Sequence, residues 1–277
     1  MSSLRLASHK LTALCATAII TLFSACATPD EQFPLHPAFD VTFDDLVLLV
    51  EQVPEEVRIR ILDVPIVFLD LMAKTVTYPP DLLVLVDKEH PLADNYESPH
   101  LVHLDDRGLT VTKRFMQVSE IILPDLAAMT TAARIDGTDV TISSAYRSFK
   151  RQSAIFNYNM KEYGEEYTSR TVARPGHSQH QLGTTIDLGT IDVGYGKTRE
   201  GQWVLENAWR FGFSLSYPQG LEAITGYQYE PWHFRYLGRS ATEIERRFFG
   251  GVQQTFLIHY QKLMPALQAV TRTSAHD

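Results

Sequence analysis

Apolar residues recur at helical spacing from Phe43 through Leu46, Val47 and Val50, which gathers them on one face of a helix. The segments PEEVRIRIL and PIVFLDLMAK continue as short helices. Each opens at a proline, Pro54 or Pro65, whose fixed φ and missing N–H suit a first helical turn. Residues 41–78 therefore read as a helical N-terminal extension, ended by Tyr78-Pro79-Pro80. Beyond it, LLVLVD (Leu82 to Asp87) is an apolar run of strand length. Ser119 to Ile135 predicts a helix whose proper start lies near Pro124, and Val140 to Ser144 alternates like a strand. Phe149 to Tyr163 predicts a helix closed by Gly164, Thr184 to Leu188 a strand, Trp203 to Arg210 a helix and Phe213 to Tyr217 a strand. Ser240-Ala241-Thr242-Glu243 has capping-box spacing and opens a helix to Phe249, closed by Gly250. Val252 to Met264 supplies one more. Helices mixed with separate strands, without a regular βαβ rhythm, predict an α+β fold with a small, mainly antiparallel central sheet flanked by helices.

Composition narrows the class. With 25 basic and 33 acidic residues, net charge −8, and no Lys/Arg run, nucleic acid is not an expected partner. The first 26 residues read as an export signal. Arg5 and Lys10 form a basic start, and Leu11 to Phe23 an apolar core shorter than the roughly 20 residues a spanning helix needs. FSAC resembles a lipobox, in which Cys26 would carry lipid; Ala25-Cys26-Ala27 also reads as an ordinary cleavage site that would release a soluble exported protein. The only cysteines are Cys15, inside the leader, and Cys26. A thiol kept only where lipid would attach favours the lipoprotein, anchored in the cell envelope. The mature chain then has no internal disulfide. Residues 27–40, rich in proline, read as a tether.

The stretch RPGHSQHQLGTTIDLG carries His177, His180 and Asp187. It cannot be one amphipathic helix, so its polar cluster is not simply a solvated helix face. On a strand, Asp187 would stand among β-branched, mostly apolar neighbours, where an ionised carboxylate is costly unless paired or bound to a cation. Imidazole nitrogen with carboxylate oxygen suits zinc. GYQYEPWHFRYLG supplies a third ligand, His233, and beside it Glu230. A catalytic zinc keeps three protein ligands and an open position for water, and needs a carboxylate to move the water's proton. His180, Asp187 and His233 fill the first role and Glu230 the second. His177 is left at the rim, because a fourth protein ligand would take the water's place. The plainer alternative, an aromatic core strand with a satisfied histidine, leaves Glu230 unexplained.

The pattern S-x-H-x-x-G-x-x-x-D (Ser178, His180, Gly183, Asp187), followed by E-P-W-H (Glu230 to His233), resembles the zinc D-alanyl-D-alanine carboxypeptidases of the vancomycin-resistance type and their L,D-carboxypeptidase relatives. SAYRS with Gln152 resembles the family's S-G-Y-R-S-x-x-x-Q, and LLVLVDKEHPL and NAWRFGF resemble further segments in the same order. The likeness covers roughly Leu82 to Gly250. It implies the hedgehog/D-Ala-D-Ala-peptidase type of α+β fold. It also implies one Zn²⁺ on His180, Asp187 and His233, Glu230 as general base and acid, and a substrate C-terminal carboxylate held by Arg147 with Gln152 and Ser178. A guanidinium suits that task, since it binds a carboxylate through two parallel charged hydrogen bonds. The implied substrate is a peptidoglycan stem peptide ending in D-Ala-D-Ala. L,D-carboxypeptidase action on a tetrapeptide stem stays open, as does a non-catalytic zinc module of the same fold.

On this reading residues 79–250 form the catalytic domain, and residues 251–277 a C-terminal helix and tail. Ser216 and Leu221 stand where many relatives carry basic residues, which leaves the grip on the donor side of the substrate open. Gln179 replaces a frequent Glu, an exchange expected to have no consequence. His36, His90, His100 and His103 lie in Pro-rich or acidic sequence and read as surface residues. Nothing in the sequence bears on oligomeric state.

Overall fold

The computed structural model describes residues 33–93 and 96–271. The expected leader with its expected lipid site at Cys26, residues 27–32 of the expected tether, and the tail from residue 272 lie outside the described residues. The helices are α1 (Phe43–Leu49), α2 (Glu55–Asp63), α3 (Pro65–Thr75), α4 (Leu123–Ile135), α5 (Phe149–Thr171), α6 (Arg199–Asn207), α7 (Glu222–Thr225), α8 (Arg239–Phe248) and α9 (Gln253–Ala269). The strands are β1 (Leu101–His103), β2 (Thr110–Val111), β3 (Gln117–Ser119), β4 (Thr141–Ser144), β5 (Thr185–Leu188), β6 (Phe213–Leu215) and β7 (His233–Tyr236). Among the described residues no helix is long and apolar enough to cross a membrane.

The central sheet runs β2-β4-β5-β7-β6, and β1 pairs with β3 beside it. Only the β2–β4 pairing is parallel; β4–β5, β5–β7 and β6–β7 are antiparallel. The fold is therefore α+β with a small, mainly antiparallel sheet. Strand β4 shifts register between Ile142 and Ser144. Such bulges bend a strand and re-aim the residues beyond it, here the segment that carries Ala145 and Arg147.

The helices of the N-terminal extension share one core with the rest. Leu46, Val57, Ile61, Phe68, Leu69 and Met72 are buried together with Phe248, Phe256 and Leu263. Phe68 meets Phe248 edge to face at 5.2 Å, and each such ring or chain contributes about 1.5–3 kcal/mol by leaving water. Directional bonds join the same parts. Arg60 Nη1 donates to the Phe248 carbonyl at 3.0 Å, and Tyr260 Oη to Thr75 Oγ1 at 3.2 Å.

Several local expectations give way. Leu82–Asp87 pairs with no strand, because side chains take its carbonyls. Arg235 Nη2 donates to Leu82 O and Val84 O, Gln261 Nε2 donates to Leu83 O, and His177 Nδ1 meets Asp87 O. Gly164 breaks the helical backbone (φ 78°, ψ 176°), but a second helical run continues at once to Thr171. Its positive φ suits glycine, and it kinks the helix without ending it. The box at Ser240 does not form. Helix α8 starts at Arg239 after Gly238, and Thr242 Oγ1 bonds back to Gly238 O. His36 is buried rather than exposed, its Nδ1 accepting from Ala38 N and its Nε2 3.6 Å from Asp70.

Candidate metal centre

Antiparallel register sets Asp187 on β5 directly across from His233 on β7, so both side chains leave one face of the sheet. His180 arrives from the 3₁₀ turn Gln179–Leu182 just before β5. Gly183 closes that turn at φ 73°, and a side chain there would collide with Ser98 Oγ. Short local spacing brings His180 to Asp187; sheet pairing brings His233 from far along the chain.

His180 Nε2 stands 3.3 Å from Asp187 Oδ2, and His233 Nδ1 3.3 Å from Asp187 Oδ1. The ligand atoms of the three residues lie within 4.8 Å of one another. Donors bound tetrahedrally to zinc at about 2.0–2.2 Å stand about 3.3–3.5 Å apart, so both measured separations fit. All three residues are buried, and Asp187 Oδ1 has no hydrogen-bond partner. An orphaned carboxylate oxygen facing an imidazole nitrogen is costly, and a cation at their centre removes the cost. The far nitrogens suit this arrangement. His180 Nδ1 lies 2.8 Å from the Ala145 carbonyl, and His233 Nε2 3.3 Å from Gln179 Oε1. Acceptors there hold the outer N–H and leave each inner lone pair facing the cluster. Burial pulls the His233 imidazole down to about 4, against the pull of Asp187, which keeps it neutral at pH 7 as a ligand must be.

Glu230 Oε2 is 3.5 Å from His233 Nδ1. Burial, and after it the Asp187 charge, pushes the Glu230 carboxyl well above its usual range, while Arg147 pulls it down. Arg147 Nη2 lies 3.9 Å from Asp187 Oδ2. The guanidinium is braced by Gln152 Oε1 at 3.0 Å, and Gln152 in turn donates to Ala173 O at 2.6 Å. Burial lowers the Arg147 pKa from its ordinary value, and Asp187 and Glu230 oppose that. Arg147, Ser178, His180, Asp187, Glu230 and His233 all line one cavity of about 270 Å³, whose outer wall includes Ile155, Tyr167 and Val172.

All seven residues singled out in the sequence thus meet around one cavity, Gln152 through its bond to Arg147. His177 does not. Its Nδ1 lies 2.7 Å from Asp87 O, and it lines a neighbouring hollow with Lys88 and Arg174. Gln179 has a consequence that the sequence did not suggest: it lies against His233, and Ser216 Oγ donates to its Oε1 at 2.7 Å. These two departures from the family pattern are in contact.

The sequence profile of the VanY D-alanyl-D-alanine carboxypeptidase family matches residues 116–239. The chain is 33% identical to VanXYC of Enterococcus gallinarum, a bifunctional D-Ala-D-Ala dipeptidase and carboxypeptidase, over 58% of this chain and 86% of that protein. The chain belongs to the VanY-type carboxypeptidase family. Within it, the putative carboxypeptidase YodJ of Bacillus subtilis is 34% identical over 62% of this chain, which spans only 65% of YodJ's length. Among solved structures, the LD-carboxypeptidase LdcB superposes with a TM-score of 0.60 at 31% identity, over 65% of this chain and 86% of that one. A mutant of the vancomycin-resistance D,D-pentapeptidase VanY, in complex with Zn(II), gives 0.54 at 29% identity, over 63% and 98%. The VanY-type family is one of peptidases, and the matched segment contains the whole His180–Asp187–His233 cluster.

Proposed function

We propose that the protein is a zinc-dependent D,D-carboxypeptidase that removes the terminal D-Ala from peptidoglycan stem peptides. The observation that carries this is the buried His180–Asp187–His233 cluster, with its orphaned Asp187 Oδ1 and Glu230 and Arg147 on either side. When bound, zinc polarises the scissile carbonyl and makes a water acidic enough to attack near neutral pH. Glu230 takes that water's proton and returns it to the departing amine, so one carboxyl serves both transfers. Its raised pKa suits a group that must gain and lose a proton. Arg147, held by Gln152, grips the substrate's C-terminal carboxylate beside Ser178, which confines cleavage to chain ends. Each charged hydrogen bond there contributes about 1.5–3 kcal/mol.

Defined stem peptides test the reading. Loss of one Ala from a pentapeptide, by protein shown to hold one zinc, is the expected result; protein without metal would overturn the mechanism. Amidating the terminal carboxylate should lower kcat/KM by roughly 100-fold. The likeness to LdcB, at a TM-score of 0.60, favours a second reading, L,D-carboxypeptidase action. Cleavage of tetrapeptide alone would select it.

Residues 79–250 form the catalytic part in this proposal, and the protein is exported and held in the envelope by lipid on Cys26. Cys26→Ser should release it from membranes, and continued association would refute the anchor.

A further inference from the structure

The polar group nearest to His233 on the side away from Asp187 is an amide, and amides have a direction. A main-chain carbonyl can only accept a hydrogen bond, and the carbonyl of Ser214 lies 3.3 Å from the side-chain nitrogen of Gln253, the first residue of α9. That nitrogen also meets Ser216 Oγ at 3.1 Å. The other end of the Gln253 amide must then be oxygen, and it accepts from Gln179 Nε2 at 3.1 Å. Gln179 is fixed in turn, so its Oε1 faces both Ser216 Oγ at 2.7 Å and His233 Nε2 at 3.3 Å. Oε1 can only accept, so the ring nitrogen facing it carries the proton. Turning Gln253 round would set its oxygen against the Ser214 oxygen, and turning Gln179 alone would set two amide oxygens against each other. Gln179, Ser214, Ser216, Gln253 and His233 are 1–6% exposed, so solvent cannot satisfy a reversed chain at no cost.

We infer that Gln253 and Gln179 are positioning residues, which transmit the direction of the Ser214 carbonyl to His233 and fix its ring as the Nε2–H tautomer with a bare Nδ1 facing Asp187. The C-terminal helix thereby determines which nitrogen of a proposed metal ligand carries the lone pair. This rests on the zinc reading for its purpose, but the tautomer exists in the protein without metal and stands or falls separately.

Long-range ¹H–¹⁵N correlation spectra of the metal-free protein at neutral pH report the tautomer directly. The expected pattern is a protonated Nε2 and a bare Nδ1 on His233. An Nδ1–H ring in the unaltered protein overturns the inference whatever any variant does. Gln179→Leu and Gln253→Leu should each give a mixture of tautomers. They should also weaken Zn²⁺ binding, read by chelator competition, by about 10–100-fold for Gln179→Leu and less for Gln253→Leu, which does not touch the ring. Folded variants with an unmixed Nε2–H ring and unchanged zinc affinity would refute it.

Discussion

Around Asp187, His180, His233 and Arg147 lie within 4 Å of its carboxylate, with Glu230 against His233. Around Phe68 the surroundings are hydrocarbon: the Phe248 ring meets it, in a core shared by α3 and α8 that also holds Leu69 and Met72. The first region concentrates buried charge that each partner partly offsets, an arrangement costly to assemble. The second supplies non-directional apolar burial, which tolerates imprecision but gives stability. They meet in α9, whose Phe256 and Leu263 belong to the apolar core and whose first residue, Gln253, reaches the polar network behind His233. A site of this kind depends on a frame that does not move, and the helices before and after the sheet supply it.

Variants on the two sides should separate these roles. The largest loss of turnover is expected from His180→Ala, which should abolish stoichiometric zinc and lower hydrolysis by at least about 10⁴-fold. His177→Ala should retain both, and if His177→Ala also loses its zinc, the division between ligand and rim is wrong. Glu230→Gln comes next. Metal analysis should still find one zinc while kcat falls roughly 10²–10⁴-fold, and unchanged turnover would exclude Glu230 as the proton carrier. Phe68→Ala should reverse the pattern, costing about 3–5 kcal/mol in denaturant unfolding while the kcat of the folded fraction stays within about threefold. A collapse of kcat without loss of stability would show that the frame acts on chemistry.

A graded effect, small at any one pH step, concerns Glu245, which lies behind β6, where Ser214 Oγ donates to its Oε1. Burial pushes its carboxyl up to about 8. Between about 4.5 and 8 the folded state keeps a proton that the unfolded chain has released, so stability should fall as pH rises through that window, by at most about 1.4 kcal/mol per pH unit. Glu245→Gln should remove the slope and be the more stable form at pH 8. Parallel pH profiles of urea midpoint for the two proteins would refute the assignment.

Sequence spacing was enough to single out His180, Asp187, Glu230 and His233, whereas Arg147, Gln152 and Ser178 entered through the family resemblance; the first four rest on two short-range facts. One turn separates His180 from β5, and Glu230 and His233 share the entry to β7. What spacing could not show was who sits behind them. Gln179 and Gln253 are joined only by the folded sheet, and neither lies in an apolar period. Leu82–Asp87 has the composition of a strand, but Arg235, Gln261 and His177 occupy the carbonyls that a neighbouring strand would need. His36 lies among prolines, which suggests surface, yet it is buried, with Asp70 from α3 3.6 Å from its Nε2. In each case the deciding partner is distant in the chain.

The break at Gly164 has a further consequence. Ile155 before it and Tyr167 and Val172 after it belong to the cavity wall, whereas the three proposed zinc ligands and Glu230 come from the sheet and its turns. A side chain at Gly164 would meet no atom within 4 Å, so what favours glycine at this kink is its positive φ and not a lack of space. Part of the chamber's bore is thus encoded in a different stretch of the chain from its proposed metal ligands. A lineage could vary Ile155, Tyr167 or Val172, and so change which peptides enter, while keeping the three proposed ligands where they are.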